Sequence, residues 1–349
     1  HETLREKLPI DDFRDVESAD DYEFHFSLAE SSIDEDKIAE IRKYLETKSL
    51  KYSFSTDLIG IIVKEGNAFV HLPLEEKKMS NYDLLTNQNK PFIIGEIGSN
   101  HNGDMGIAKK LIDSAVDSGC DAVKFQSWRY NSLFAQSILD AHTDMKADDV
   151  EGTGLEEIQK TLALSKEDHI ELKKYCDEKG ILFFSYPLEN EHVDWLVELD
   201  VPFIKIGSLD LVNLPLLKYV AEQGKPMIVS VGMGTMAEIE EALETIYSTG
   251  NREVVLLHCN AAYPPKYEDI NLRNIPMLKA AFEVPVGFSD HSTGIEIPAA
   301  AVALGASVIE KHIKLDDLHC RDEAVSLNPA DLKKMVEGVR NVAAALGSS

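Results

Sequence analysis

The sequence VGFSDHSTGIEIPAAAVALGASVIEKHI, residues 286–313, decides the fold of this chain. A short apolar run at 286–289 is followed by a helix-like stretch at 295–304 and by a second apolar run at 308–313. Runs rich in Val, Ile and Phe that are separated by helices indicate parallel strands buried on both faces. The segment therefore predicts one strand–helix–strand unit of a parallel sheet.

The same alternation extends over residues 91–349. The apolar runs are eight, and they occupy residues 92–97, 122–126, 182–186, 203–207, 227–231, 254–259, 286–289 and 308–313. Eight strand–helix units predict an α/β fold, a closed (β/α)8 TIM barrel. An open doubly wound sheet is the alternative. It usually has fewer strands and a glycine-rich first turn, and no GxGxxG follows Ile97.

Residues 1–90 have a different pattern and predict a small α+β domain that ends in a linker. The acidic residues 1–22 predict a loose arm. Strands are predicted at 22–28, 52–54 and 60–72, the last turning at 65–67, and a helix at 32–47 begins at the capping box of Ser32. The polar residues 75–90 are the predicted linker. No chemical motif occurs in 1–90, so we expect a structural or interaction role.

The composition limits the partners and the compartment. A formal net charge of −26 argues against nucleic acid and anionic membrane surfaces as partners. No apolar run approaches the roughly 20 residues that cross a bilayer, and the polar, acidic N-terminus does not resemble a secretory signal. The four cysteines form no CxxC pair and predict buried free thiols in a reducing compartment, the cytoplasm.

Polar residues at the carboxyl ends of the predicted strands are candidates for an active site, because barrel enzymes bind substrates at that end. Lys124 and Gln126 are two residues apart and project to the same side of their strand. We expect Lys124 and Lys205 to converge on one anion, with Ser208 and Ser230 as hydroxyl donors nearby. The alternative is that either lysine pairs with a glutamate of a neighbouring strand.

His291 and His312 end adjacent predicted strands, so their imidazoles can reach one ion. Glu310 lies on the same side of its strand as His312 and is expected to ligate the ion or to orient a bound water. Two imidazoles with oxygen ligands suit a borderline divalent cation such as Mn²⁺, Fe²⁺, Co²⁺ or Zn²⁺. The cofactor that we expect is Mn²⁺, with Mg²⁺ or Co²⁺ as alternatives. For either histidine alone, a hydrogen-bonded core residue is the alternative.

The strand ends resemble those of the sialic acid synthase family, whose members make nonulosonic acids. The resemblance covers residue 91 to about residue 347. It rests on short motifs in the family's order, which are EIGSNHNG at 96–103, KFQ at 124–126, KIGS at 205–208, SVGM at 230–233, SDH at 289–291 and EKH at 310–312. Each motif is short, but their order on successive strands makes a chance resemblance improbable.

The resemblance implies the substrates, the reaction and the roles of the residues. The protein would be a homodimer that condenses phosphoenolpyruvate with an N-acylated hexosamine such as N-acetylmannosamine. The implied roles are phosphoenolpyruvate binding by Lys124, Lys205, Ser208, Ser230 and Ser289, sugar binding by Gln126, Tyr263 and Asp322, and metal binding by His291 and His312. Asp210, where many bacterial members have Glu, is a further substrate-binding candidate.

The implied mechanism begins with polarisation of the open-chain aldehyde by the metal as a Lewis acid. C3 of phosphoenolpyruvate attacks that carbon, water adds at C2, and the intermediate expels phosphate. Glu96, Lys124 and Lys205 are the expected catalytic residues, with Glu96 handling a proton near the water.

The sequence departs from the family pattern in several respects besides Asp210, among them Asn260-Ala261-Ala262 after strand six and Cys320-Arg321 before Asp322. Tyr186 stands before the proline after strand three, where members often have Ser or Thr. Many relatives also continue into an antifreeze-like domain that contributes an arginine to the partner's sugar site, and this sequence ends at Ser349, where that domain would begin. We therefore expect a barrel without that domain. Either the sequence is truncated there, or residues 1–90 and a local arginine such as Arg321 or Arg129 substitute.

Two other functions are alternatives. One is a Schiff-base aldolase on the same barrel, with Lys205 or Lys124 as the nucleophile, which requires a lowered lysine pKa. The other is a catalytically inactive barrel that binds a phospho-ligand, or a partner through the N-terminal domain. A synthase that acts on a sugar phosphate would need a second basic cluster, and the sequence offers no obvious one.

Overall fold

The computed structural model describes the backbone of five strands within residues 14–73, and then residues 80–87, 89–129 and 162–347 in full. The chain divides into two compact units, His1–Met79 and Ser80–Ser349.

The first unit contains a five-stranded sheet with the order β1-β5-β4-β2-β3. Its strands are β1 (Arg14–Val16), β2 (Phe24–Ser27), β3 (Tyr52–Ser55), β4 (Gly60–Glu65) and β5 (Ala68–Pro73). Neighbouring strands are antiparallel, except for the parallel pair β2 and β3.

The sequence predicts four of these strands and misses one. Strands β2 to β5 lie in the predicted segments, and β4 and β5 form the predicted hairpin. Strand β1 lies in the segment predicted to be a loose arm, and that prediction is wrong for Arg14–Val16. A three-residue edge strand is too short to show an alternating pattern. The predicted helix at 32–47 lies outside the described residues.

The second unit is a parallel barrel, as predicted. Its strands are β6 (Phe92–Gly98), β7 (Ala122–Ser127), β8 (Leu182–Pro187), β9 (Ile204–Ile206), β10 (Met227–Ser230), β11 (Val254–Cys259), β12 (Val286–Asp290) and β13 (Val308–His312). Hydrogen-bonded ladders join them in the order β8-β7-β6-β13-β12-β11-β10-β9. The strands are almost entirely buried, because one face of the sheet fills the barrel and the other packs under helices.

The two strands at the ends of this order, β8 and β9, close the barrel by side-chain packing. No ladder joins them within the described residues. The rings of Phe184, in β8, and Phe203, just before β9, meet edge to face with centroids 5.2 Å apart. Aromatic contact therefore replaces backbone hydrogen bonding at this junction.

A helix follows each barrel strand along the chain. These helices are α2 (Met105–Ser118), α3 (Lys166–Lys179), α4 (Asn190–Glu198), α5 (Leu214–Ala221), α6 (Met236–Tyr247), α7 (Asn274–Phe282), α8 (Glu296–Ala303) and α9 (Pro329–Leu346). Their ends follow local sequence signals. Helix α3, for example, begins at a capping box between Ser165 and Asp168 and ends at Gly180 in the left-handed conformation.

A short helix, α1 (Asn81–Thr86), precedes the barrel within the segment predicted to be a linker. Ser80 and Asp83 form its capping box, Leu85 is fully buried, and the Tyr82 hydroxyl donates to the carbonyl of Val254 at 3.3 Å. The linker prediction misses this helix because six residues are too few to show helical periodicity.

The cysteines and the helices bear on two further predictions. All four cysteines are free thiols, as predicted, although Cys120 and Cys320 are only partly buried. In the part of the chain that the structure describes, no helix has both the length and the apolar character that a membrane crossing requires.

Candidate active site

A cavity of about 650 Å³ lies at the carboxyl ends of the barrel strands. The predicted site residues that line it are Glu96, Lys124, Gln126, Lys205, Ser208, Ser230, Tyr263, Ser289, His291, His312 and Asp322. The fold brings them together because each follows or ends a parallel strand, and all these ends meet at one rim. Asp210 alone among the predicted residues does not line the cavity.

A cluster of buried charges forms the floor of the cavity. Lys124 Nζ lies 2.9 Å from Oε1 of Glu96 and 3.8 Å from Oε2 of Glu310. Gln126 Nε2 donates to the same Glu96 oxygen at 3.1 Å. The other oxygen of Glu96 and Oε2 of Glu310 are buried without a hydrogen-bond partner among the described residues. Lys124 thus pairs with glutamates and also lines the cavity, so the pairing does not exclude the anion-binding role predicted for it.

The two glutamates differ in their proton affinity. Burial raises the pKa of Glu96 to about 7, because Lys124 offsets only part of the cost of burying its charge. Burial also acts to raise the pKa of Glu310, but Lys124 and Lys205 outweigh it and the net shift is downward. At neutral pH, Glu310 is therefore the fixed anion of the cluster, and Glu96 is the group that exchanges a proton.

Lys205 supplies the second buried cation. Its Nζ donates to Ser230 Oγ at 2.7 Å and to the carbonyl of Ile206 at 2.9 Å. Burial lowers the pKa of Lys205. Just beyond the strand of Lys205, Ser208 Oγ accepts from the backbone N–H of Gly232, which follows the next strand, at 3.1 Å. These hydroxyl and ammonium donors form a compact region suited to an anion.

The imidazoles of His291 and His312 lie side by side, with ring centroids 5.3 Å apart. The ring of Tyr263 stacks on His291 at 4.0 Å. Burial lowers the pKa of His291 and, further, that of His312, so both are neutral at pH 7. His291 Nδ1 donates to the carbonyl of Asn260 at 2.6 Å, which leaves the lone pair on Nε2.

This pair fits an open metal site. His312 Nδ1 is buried and has no hydrogen-bond partner within the described residues. In that part of the chain, no three His, Cys, Asp or Glu side chains converge as a closed metal site requires. Two neutral imidazoles could hold an ion whose remaining positions are filled by water or substrate oxygen, with one protein ligand fewer than the three of a typical catalytic zinc site.

The rim of the cavity carries one acidic and one basic side chain beside the histidines. Asp322 Oδ2 lies 3.4 Å from Nδ1 of His312, and burial raises the pKa of Asp322. Arg321 also lines the cavity. Arg129, the other arginine considered for the sugar site, does not line it and pairs with Glu189 at 2.8 Å. Of the two arginines, Arg321 is the one that lines the cavity.

Asp210 does not line the cavity but contacts Tyr186, a residue that does. Its carboxylate accepts hydrogen bonds from the hydroxyl of Tyr186 and from Asn213 Nδ2. The Tyr186 ring lines the cavity and packs over Gly207, where a Cβ atom would lie only 2.6 Å from it. Asp210 therefore does not line the cavity as expected and reaches it only through Tyr186, and the substrate contact predicted for it stays a prediction.

Apolar side chains that were not singled out from the sequence also line the cavity. They are Trp128, Leu188, Leu209 and Met233. Trp128 and Leu188 each lie two residues beyond a lining residue, Gln126 and Tyr186, so the period of two that placed Lys124 and Gln126 together extends past the strand ends. Applying that period further would have found them.

A β-bulge lies where the first barrel strand reaches the site. The register between β6 and β7 shifts between Glu96 and Gly98. Gly98 has a φ of 52°, and a Cβ atom there would lie 3.0 Å from Glu96 Oε1 and 3.1 Å from Gln126 Nε2. Only glycine fits this position without crowding the charged floor of the cavity.

Comparison with known proteins identifies the family. The family model described as "NeuB family" matches residues 111–349 of this chain. The chain belongs to the NeuB family. This confirms the family predicted from the strand-end motifs.

Relatives of this NeuB chain have synthase names. The N,N'-diacetyllegionaminic acid synthase of Campylobacter jejuni is 42% identical over 261 residues, which are 74% of this chain and 78% of that protein. The N-acetylneuraminate-9-phosphate synthase of Homo sapiens is 39% identical over 263 residues, 75% of this chain and 72% of that protein.

A solved structure shares the fold. The N-acetylneuraminic acid synthetase from Leptospira borgpetersenii serovar Hardjo-bovis, in complex with citrate, matches with a TM-score of 0.68 and 32% identity. The match covers 84% of this chain and 92% of that chain. The predicted barrel is therefore confirmed, and so is the prediction that this NeuB chain is an enzyme of the nonulosonic acid synthase type.

Proposed function

We propose that the protein condenses phosphoenolpyruvate with the aldehyde form of an N-acylated hexosamine and water, giving a nonulosonic acid and phosphate. The observation that carries the proposal is one cavity lined by two buried lysines and by two buried, neutral imidazoles. The first pair suits an anionic phospho-substrate, and the second suits a metal-bound carbonyl. The names of the relatives support the same class of product.

The anion-binding residues are assigned to phosphoenolpyruvate. Lys205, held by Ser230, and Lys124, held by Glu96, present ammonium groups, while Ser208 and Ser289 add hydroxyls. Ser289 Oγ donates its single hydrogen to Glu310 Oε1 at 2.9 Å, so its hydroxyl must turn before it can donate to the substrate, whereas the lysines and Ser208 need no such change. Fixed donors of this kind stabilise charge that grows on the substrate in the transition state without needing to reorganise.

The metal and the proton carrier act on the sugar and the water. We assign a divalent cation, Mn²⁺ first and Mg²⁺ or Co²⁺ as alternatives, to His291 and His312. When bound, it supplies Lewis-acid polarisation of the aldehyde oxygen. Glu96 takes the proton from the water that adds at C2 of phosphoenolpyruvate. Gln126, Tyr263 and Asp322 bind the sugar hydroxyls and the acyl group. The homodimer and the cytoplasmic location stay predictions.

The experiment is a measurement of phosphate release from phosphoenolpyruvate against a panel of hexosamines. The panel contains N-acetylmannosamine, its 6-phosphate and a 2,4-diacetamido-trideoxyhexose, each with and without Mn²⁺. Release that requires both a sugar and the metal is the expected result. A panel without any sugar-dependent release contradicts the proposal.

Arg321 is the arginine that we assign to the sugar, because it lines the cavity. We expect Arg321→Ala to raise KM for the sugar about tenfold, the loss of one charge-assisted hydrogen bond, with little change in KM for phosphoenolpyruvate. Arg129→Ala is the matched control, since Arg129 pairs with Glu189 outside the cavity. Equal effects of the two substitutions would remove Arg321 from the sugar site.

One observation favours the Schiff-base aldolase as a second candidate. The pKa of Lys205 is lowered by burial, as the nucleophile of such an enzyme requires. Borohydride in the presence of pyruvate would then inactivate the enzyme and add the mass of the reduced adduct to Lys205. Full activity after this treatment, together with loss of activity in a chelator and its return with Mn²⁺, supports the condensing synthase instead.

A further inference from the structure

A buried ion pair lies directly behind the two histidines. Lys311 Nζ is 2.7 Å from Asp290 Oδ2, and both side chains are completely buried. The two residues are opposite one another on the parallel strands β12 and β13. Asp290 immediately precedes His291, and Lys311 immediately precedes His312. The ion pair therefore joins the two backbone segments that carry the imidazoles.

The pair lies on the helix side of the barrel wall. Side chains alternate along a strand, and Ser289 and Glu310, one residue earlier on each strand, line the cavity. Asp290 and Lys311 do not line it. They consequently contact neither substrate nor metal, and any effect that they have on the site passes through the strands.

Ser292 closes a ring of contacts around His291. Its backbone N–H donates to Asp290 Oδ1 at 2.8 Å and its hydroxyl to Asp290 Oδ2 at 3.0 Å. Lys311 Nζ also donates to the carbonyl of Ser292. The residues on both sides of His291 are thus fastened to Lys311, the neighbour of His312. These contacts fix the backbone at His291 relative to the backbone at His312.

Stability alone does not explain such a pair. Burying two charges costs much of what their attraction gains, and apolar residues of similar size often serve as well. What an ion pair with several hydrogen bonds provides is a fixed geometry. At this place, the geometry that it fixes is the spacing of His291 and His312.

We propose that Lys311, Asp290 and Ser292 are positioning residues that hold His291 and His312 at the spacing and orientation that one divalent cation requires. The inference rests on the metal binding in the proposed function. Groups that orient metal ligands from behind typically change metal affinity 10- to 100-fold when they are removed. We expect the same range here.

The test measures metal binding by the full chain, without reference to turnover. The double variant Asp290→Asn/Lys311→Met removes both charges, so that no unpaired charge stays buried. Isothermal titration with Mn²⁺ is expected to show 10- to 100-fold weaker binding than in the wild type. The visible absorption of bound Co²⁺, which reports the ligand geometry, is expected to change as well. Ser292→Ala, which keeps both charges, is expected to show a smaller loss.

Arg340→Met is the matched control. Arg340 pairs with Asp121 at 2.5 Å and donates to the carbonyl of Pro91, at the opposite end of the barrel. Its removal is expected to lower the melting temperature while leaving the Mn²⁺ affinity and the Co²⁺ spectrum unchanged. This separates a general loss of stability from a change in the metal site.

The outcomes distinguish this inference from the proposed function. Wild type that binds neither Mn²⁺ nor Co²⁺ overturns the metal assignment, and the inference with it. Wild type that binds metal, beside a folded double variant with the same affinity and the same Co²⁺ spectrum, overturns the inference alone. If the double variant does not fold, unchanged affinity in Ser292→Ala overturns it.

Discussion

Glu96 is the side chain whose protonation we expect to control the rate. Its pKa is raised to about 7 by burial, and it touches both Lys124 and Gln126 at the floor of the cavity. A carboxyl group with a pKa near the working pH is well suited to transfer protons. The carboxylate exists above this pKa, so a base at this position is active on the alkaline side of pH 7.

We therefore predict that kcat/KM rises with pH through a midpoint near 7, and that Glu96→Gln abolishes this limb. The turnover of the variant should fall by about 10²- to 10⁴-fold, the usual contribution of a general base. Initial rates of phosphate release from pH 5.5 to 9 measure both effects. The same limb in the Gln variant would assign the ionisation to another group.

Asp210 and Tyr186 are expected to act as one unit, because a hydrogen bond joins them and only Tyr186 lines the cavity. We predict that Asp210→Asn and Tyr186→Phe each lower kcat/KM about tenfold, as the loss of one hydrogen bond to a charged group implies. The double variant should be no worse than either single variant. Effects that add would show that Asp210 acts on the substrate independently of Tyr186.

At the scale of single residues, the sequence predicts which side chains line the cavity, but not all the residues that hydrogen-bond to them from outside it. His291 and His312 could be placed together because each ends an apolar run in a barrel. The bond from Tyr186 to Asp210 could not be predicted, since it depends on how the turn Ser208–Asp210 after β9 packs against Tyr186. The pairing of Lys311 with Asp290 was within reach, because alternation puts Lys311 on the opposite side of its strand from Glu310 and His312.

At the scale of elements, the bulge in β6 decides the shape of the floor. Gly98 turns the strand with a positive φ, and a Cβ atom there would press on the ends of the Glu96 and Gln126 side chains. The bulge thereby leaves room for Glu96 and Gln126 to meet.

We predict that Gly98→Ala costs about 1–2 kcal/mol of folding free energy, because a left-handed backbone is strained with a Cβ atom. It should also lower kcat severalfold by displacing Glu96. Gly180→Ala is the control, since Gly180 has a φ of 73° and nothing lies within 4 Å of a Cβ there. Chemical denaturation and steady-state kinetics should show a similar loss of stability in both variants, and a loss of activity in Gly98→Ala only. Full activity in Gly98→Ala would contradict the role of the bulge.

The accuracy of the predicted elements follows their length and repetition. Each barrel strand lies within one residue of its predicted bounds at either end, because eight similar units support one another. The short elements β1 (Arg14–Val16) and α1 (Asn81–Thr86) were missed because tertiary pairing, and not pattern, defines them. The absence of a ladder between β8 and β9 also depends on tertiary geometry that periodicity does not contain.

At the scale of the whole molecule, the charge of −26 opposes the approach of an anionic substrate. The cations that face the substrate, Lys124 and Lys205, are buried, and salt screens buried charges much less than exposed ones. Added salt should therefore weaken the repulsion at the surface more than the attraction inside the site.

We predict that kcat/KM for phosphoenolpyruvate rises severalfold when ionic strength increases from about 0.01 M to about 0.15 M, as the screening length falls from about 30 Å to about 8 Å. The value for an uncharged sugar should stay nearly constant. Rates measured with each substrate limiting in turn provide the comparison. A fall with salt for phosphoenolpyruvate would show that local attraction dominates.

The junction between β8 and β9 is the one place in the described barrel where neighbouring strands share no hydrogen-bonded ladder. Tyr186 in β8 and Lys205 in β9 line the cavity on the two sides of this junction, and the rings of Phe184 and Phe203 are in contact across it. Separating two strands that share a ladder breaks several backbone hydrogen bonds. Separating β8 from β9 breaks no ladder and disturbs side-chain contacts such as that of Phe184 with Phe203. Because ladders join all the other neighbouring strands, including those that carry His291 and His312, any widening of the described barrel would fall between Tyr186 and Lys205.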